Sequence, residues 1–362
     1  MGLIALALLI LLVGPLIAIG SLRPLESLTS RWVLIGLIVL LVILKQVWNI
    51  WRARRASNAL AAGFAAQAAE EPAAKAGDAE IALIGDRFKE AIETLRKSRL
   101  GGSTKFSQRV GRGYLYQLPW YVFIGAPGSG KTTSLLNSGL EFPLADKFGK
   151  EAIRGVGGTR NCDWWFTNEA ILLDTAGRYT TQDSSQAEDS AAWGGFLQLL
   201  RKNRPRRPIN GVLVTVSIQD LLSRNQLERE RQAIAIRKRV AELYSQLGIR
   251  IPIYVLVTKT DLLPGFMEFF ESLGKEEREQ VVGFTLPYSD AKAGLEKDAL
   301  RNLYEKEFSL ISRRFFDGMI DRLEAERDAS RRALIYGFPQ QFSAIKEVLG
   351  EFLIHAFAAG HY

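Results

Sequence analysis

The sequence has one cysteine (Cys162) and two histidines (His355 and His361) in 362 residues. A single thiol excludes an internal disulfide framework, and the three residues together exclude the common structural zinc patterns. A reducing compartment fits this usage. Charge is scarce locally: residues 2–22 contain none, and residues 32–51 contain only Lys45. No internal repeat is present, and no aromatic residue interleaves the dense basic run Arg201-Lys202-Asn203-Arg204-Pro205-Arg206-Arg207.

What is there is a chain long enough to bury a sizeable core, with a net charge of +8 and a mean hydropathy of +0.01. That mean is too apolar for an ordinary soluble domain. At 1.5 Å per residue the first apolar stretch reaches the roughly 30 Å of a hydrocarbon core. The second ends on Trp48 and Trp51, residues suited to a membrane interface. Residues 1–55 are therefore expected to form a transmembrane helical hairpin. Arg23, Glu26 and Arg31 lie between the spans, whereas Arg52, Arg54 and Arg55 follow the second without an acid, which predicts an inner-membrane protein with the remaining chain in the cytosol. A cleavable secretory signal is the rival reading, since Ala18-Ile19-Gly20 loosely matches a cleavage site, but no Lys or Arg precedes the apolar stretch. Six basic residues and one acid before Ala56 leave only +3 for the other 307 residues. Membrane is thus an expected partner and nucleic acid is not.

Residues 56–80 are Ala-rich without an apolar stripe and read as a linker with room for partial helix. Ile81, Ile84, Phe88, Ile92 and Leu95 recur at helical spacing, predicting an amphipathic helix within a lead-in over 81–111. The fold class expected beyond it is α/β: a P-loop, GTPase-like three-layer domain over 112–290, followed by a helical subdomain over 291–362.

Trp120 to Ile124 is an apolar run of strand formers. It leads directly into Gly125-Ala126-Pro127-Gly128-Ser129-Gly130-Lys131-Thr132 and a helix-compatible TSLLNSGL that opens with Thr133. This is G-x-x-x-x-G-K-[ST] in its strand, loop, helix setting. Glycines let successive N–H groups point at a phosphate, Lys131 would neutralise the β and γ phosphates, and the Thr132 hydroxyl would ligate Mg²⁺. Ile171-Leu-Leu-Asp174-Thr-Ala-Gly177 then places a carboxylate at the end of a buried strand, where it can hold the Mg²⁺ shell, and Gly177 can offer its N–H to the γ-phosphate. Ile253 to Val257 leads into Thr258-Lys259-Thr260-Asp261, an [NT]-K-x-D signature in which Asp261 could read guanine and Lys259 pack across the base. Mg²⁺ with GTP or ATP is the expected cofactor, and the base remains open.

Thr159, behind flexible glycines, suits a switch segment that reaches Mg²⁺, with a plain mobile loop as the alternative. Trp164-Trp165-Phe166 reads as strand core or interface. The position after the D-x-x-G glycine, often a water-orienting Gln, is Arg178. Binding machinery therefore looks complete while hydrolysis machinery does not. This predicts slow turnover, with Arg178 or Arg160 able to supply positive charge in cis. The basic run 201–207 reads as a solvated loop in preference to a phosphate or lipid site. Leu227, Ile234, Val240, Leu243 and Leu247 mark the core face of a helix.

LPWYVFIGAPGSGKTT, GVGGTRNCDWWFTNEAILLDTAGRY, VLVTKTDLL and FPQQF (338–342) together resemble the N-terminal part of the IcmF (TssM) family, inner-membrane subunits of bacterial type VI secretion systems. The resemblance extends over essentially the whole chain. It implies an oligomeric envelope complex with a TssL/DotU-like inner-membrane subunit and a TssJ-like lipoprotein. It also implies a longer protein with a further membrane span and a periplasmic region, so that this chain is expected to be a fragment or short form and the lipoprotein contacts lie in regions absent from it. P-loops are not uniformly retained in that family. The expected role is an energy or switch module, the alternatives being a scaffold that holds nucleotide without turning it over and a membrane-tethered regulatory GTPase.

Overall fold

Alternation along one short strand organises the molecule. In β1 (Trp120–Ile124), Trp120, Val122 and Ile124 face one apolar cluster while Tyr121 and Phe123 face another. A period of two puts successive side chains on opposite faces, so a strand that is apolar throughout must be covered on both sides. The computed structural model describes residues 72–98, 113–143, 162–182, 186–287 and 295–359, with the single positions 27, 32 and 36. The elements from Ala73 onward belong to one compact unit.

β1 is the middle strand of a five-stranded sheet that also contains β2 (Cys162–Phe166), β3 (Ile171–Thr175), β4 (Gly211–Ser217) and β5 (Ile253–Thr258), in the order β2-β3-β1-β4-β5. β3 and β4 both run parallel to β1, with Phe123 opposite Asp174 and Ile124 opposite Val214. β5 is parallel to β4, and β2 is antiparallel to β3 at the edge. Because the chain continues to opposite sides of β1, a crevice opens at its carboxyl end, the usual ligand position in open α/β sheets.

The larger cluster packs one sheet face against α1 (Pro72–Ser98), α4 (Gln186–Asn203) and α6 (Gln226–Leu247), and it continues into the C-terminal helices. The smaller cluster, around Phe123, Leu135, Trp165 and Leu172, covers the other face with α2 (Lys131–Leu136). Short helices α3 (Gly177–Thr181) and α5 (Ile218–Ser223) follow β3 and β4. Beyond β5 come α7 (Phe266–Phe270), α8 (Lys275–Arg278), α9 (Lys297–Asp317), α10 (Met319–Ala325), α11 (Ala329–Ala344) and α12 (Lys346–Phe357). Phe269, Phe270, Phe315 and Phe338 meet there in an aromatic cluster, and Phe342 stacks on Phe308 at 4.9 Å.

Several sequence expectations are corrected. The transmembrane hairpin does not stand in the fold class: among the described residues no helix is long and apolar enough to cross a membrane. The longest described helix, α1, has 27 residues but carries ten charged ones. Residues 2–22, and 32–51 apart from Trp32 and Gly36, lie outside the described residues. α1 starts at Pro72, inside the expected linker, with proline at the first helical position where its missing N–H costs nothing. In α6 the core face is Ala233, Ile236, Val240, Leu243 and Leu247, while Leu227 and Ile234 are exposed. The basic run is not uniformly solvated: Arg204 is buried with its guanidinium over Trp120 at 4.3 Å and Tyr116 at 5.0 Å. Burial pushes its pKa down to about 10. Arg206 and Arg207 are exposed.

Candidate functional site

Four sequence segments converge at the carboxyl end of the sheet. The loop 125–130 leaves β1 and doubles back, with Ser129 N–H donating to Ala126 C=O at 3.2 Å. Gly130 takes φ 87°, a left-handed conformation that favours glycine, and so turns the chain into α2. Gly125, Ala126 and Ser129 are buried, whereas Pro127 and Gly128 form the exposed tip and Thr133 faces outward from the first turn of α2.

Lys131 is buried, and its Nζ donates to the carbonyls of Gly125 at 2.9 Å and Ala126 at 3.1 Å. Burial lowers its pKa, and the Asp174 carboxylate partly offsets that effect. Thr132 Oγ1 donates to Asp174 Oδ2 at 2.5 Å, and Asp174 itself is fully buried at the end of β3. A hydroxyl and a carboxylate side by side are hard oxygen donors of the kind Mg²⁺ takes, usually with one or two protein ligands and the rest from water and phosphate. The residues present fit that ion, and a buried ammonium resting on backbone carbonyls fits a phosphate group that would replace them.

Gly177 lies directly on the 125–130 loop: a Cβ added there would fall 2.4 Å from the Pro127 nitrogen and 2.6 Å from its Cα. Thr258, at the end of β5, donates from Oγ1 to Ser129 C=O at 2.6 Å, so the [NT]-K-x-D segment is pinned to the same loop. Lys259 adopts φ 59° and its Nζ approaches Gln219 Oε1 at 3.5 Å, and Asp261 is exposed in the 3₁₀ turn Thr260–Leu262. Thr159 and Arg160 lie outside the described residues.

Arg178 is placed differently from the rest. Its guanidinium pairs with Glu80 of α1 and Asp189 of α4. Burial opposes its charge, but the hydrogen bonds to those carboxylates outweigh this and raise its pKa. Sequence reasoning passed over three residues here. Thr180 Oγ1 accepts from Gly125 N–H at 3.0 Å, Thr215 Oγ1 shares a 2.8 Å hydrogen bond with Ser129 Oγ, and Glu80 holds Arg178. Thr215 was detectable, as a hydroxyl within the otherwise apolar buried run of β4. Thr180 and Glu80 carry no such signal, since only the fold brings them to the site. A separate cavity of about 280 Å³, lined by Phe308, Ser312, Arg313, Ser343 and Lys346, touches none of these residues.

The IcmF-related N-terminal domain matches residues 186–362. Type VI secretion system component TssM1 of Pseudomonas aeruginosa is 53% identical over 294 residues, which cover 81% of this chain. The chain belongs to the IcmF family. It corresponds to an N-terminal portion and spans 26% of the length of that curated IcmF-family relative. No solved structure matches it significantly. The 125–132 loop and the Asp174 strand precede the segment that the IcmF-related domain covers, whereas residues Thr258–Asp261 and the aromatic helices fall within it.

Proposed function

We propose that this chain is the nucleotide-binding module of a membrane-associated type VI secretion component, and that Mg-GTP or Mg-ATP acts there as a switch for assembly and secretion. The observation that supports the reading is the Thr132–Asp174 hydrogen bond beside the Lys131 ammonium, which brings a hydroxyl, a carboxylate and an ammonium from two separate segments together. The backbone of residues 125–131 and the Lys131 ammonium bind the phosphates, and Thr132 and Asp174 hold Mg²⁺, with Thr159 as a third expected ligand. Mg²⁺, when bound, would neutralise charge developing on the phosphates. Asp261 and Lys259 contact the base, and Thr258 holds their loop against Ser129. On the family's account the module works with a TssL/DotU-like subunit in an oligomeric complex, and a TssJ-like lipoprotein would be met by parts of the protein outside this chain.

A second reading is favoured by Arg178. With its guanidinium committed to Glu80 and Asp189 and no glutamine following Gly177, the site is better furnished to hold nucleotide than to hydrolyse it. A scaffold that keeps nucleotide bound without turnover would look the same. Equilibrium binding of fluorescent GTP and ATP analogues to the full chain, with Lys131→Ala as control, tests binding, and the same substitution in secreting cells separates the readings. Loss of binding with secretion intact would leave only the scaffold.

A further inference from the structure

α1 is attached to both segments that border the nucleotide site. Ile84 and Phe88 are each 1% exposed, and Phe88 meets Trp164 of β2 edge-on at 4.9 Å. Ile81 fills a notch at Gly195 of α4, where an added Cβ would lie 2.7 Å from Ile81 Cγ1. These contacts give the helix one seat, so its polar residues meet fixed partners. Arg87 pairs with Asp163 of β2 at 3.1 Å, close in sequence to the Thr159 segment. On the other side, Glu80 accepts from both Arg178 and the Tyr179 hydroxyl, and Arg178 also binds the fully buried Asp189. Arg178 and Tyr179 directly follow Gly177, whose backbone lies on Pro127 without space between them.

Resting on the nucleotide reading above, we propose that Glu80 is a positioning residue that regulates the site: by clamping Arg178 and Tyr179 it holds the D-x-x-G segment down on the P-loop, and nucleotide binding opens that clamp, so that α1 responds to the state of the site. Charge-assisted hydrogen bonds are about twice as strong as neutral ones, and separating a buried Asp from its arginine is costly. The closed arrangement is therefore the resting one, and nucleotide binds the fraction of molecules in which it has opened. A ligand that needs a minor conformation binds more slowly and weakly in proportion to that fraction. A plain structural staple would contribute stability without altering nucleotide kinetics.

The test is stopped-flow association of fluorescent GTP and ATP analogues with the full chain in Mg²⁺, comparing wild type, Glu80→Gln and Tyr179→Phe, with thermal melting alongside. Glu80→Gln weakens a charge-assisted bond and is expected to speed association roughly tenfold. Tyr179→Phe, which removes one hydroxyl and no charge, should shift the rate in the same direction by less. Lowered melting temperatures with unchanged association rates in both variants would overturn the proposal. Wild-type protein that binds neither nucleotide would overturn the nucleotide reading itself and the clamp with it, and this is seen before any variant is compared.

Discussion

Thr132 Oγ1 donates to Asp174 Oδ2 at 2.5 Å, joining the first turn of α2 to the end of β3. The two residues lie 42 positions apart, and the in-register pairing of Phe123 with Asp174 brings them together. The hydrogen bond gives one oxygen of a fully buried carboxylate a donor, which offsets part of the cost of burying it.

Lys131 makes phosphate binding measurable as proton uptake. Burial holds the free protein's ammonium below the ordinary 10.5 of lysine, and anionic phosphates would raise it again. Between those two values the complex carries one more proton than the free protein, so affinity falls as pH rises through the free protein's Lys131 pKa. Calorimetric titration of the wild type in buffers of different ionisation enthalpy, at a series of rising pH values, should show net proton uptake that appears as pH rises through the free protein's Lys131 pKa.

Gly177→Ala drives a methyl group into the Pro127 backbone, which cannot turn aside as a side chain can. Overpacking of this kind costs about 2 kcal/mol, a melting-temperature drop of roughly 4–8 °C for a domain of this size. If the segment lifts when nucleotide binds, saturating Mg-nucleotide should recover part of the loss.

Arg204→Ala should be the damaging change in the basic run. It removes a buried cation stacked on Trp120 and Tyr116 and a hydrogen bond to Pro208 C=O, at about 3 kcal/mol. Arg206→Ala and Arg207→Ala, on exposed side chains, should stay within about 0.5 kcal/mol in denaturant unfolding.

Asp261→Asn tests base selection. A carboxylate accepts two hydrogen bonds from the guanine edge, whereas an amide presents a donor there. GTP affinity should fall at least about tenfold relative to ATP, read by competition against a fluorescent analogue. An equal effect on both nucleotides would mean that Asp261 does not read the base.

The strands at Trp120, Ile171 and Ile253 were legible because short apolar runs ending on glycine, aspartate or threonine motifs have few other uses. α4 was not: Ala192, Trp193, Phe196, Leu197 and Leu200 are all buried, but its small and polar residues blur the stripe. In α6 the sequence offered two faces, one through Ile234 and one through Ile236, about 200° apart on a helix. Packing against the sheet buried Ile236 and left Ile234 exposed.

By itself the sequence determined which residues are candidates for holding phosphate, Mg²⁺ and a base and in which order they lie along the chain, because those motifs are local and their spacing follows from a single turn. Tertiary structure decided what each group is doing at rest. Arg178 pairs with Glu80 nearly a hundred positions away, and Thr258 reaches back to Ser129. Partners so distant in sequence are chosen by strand order and helix seating, which leave no periodicity to read.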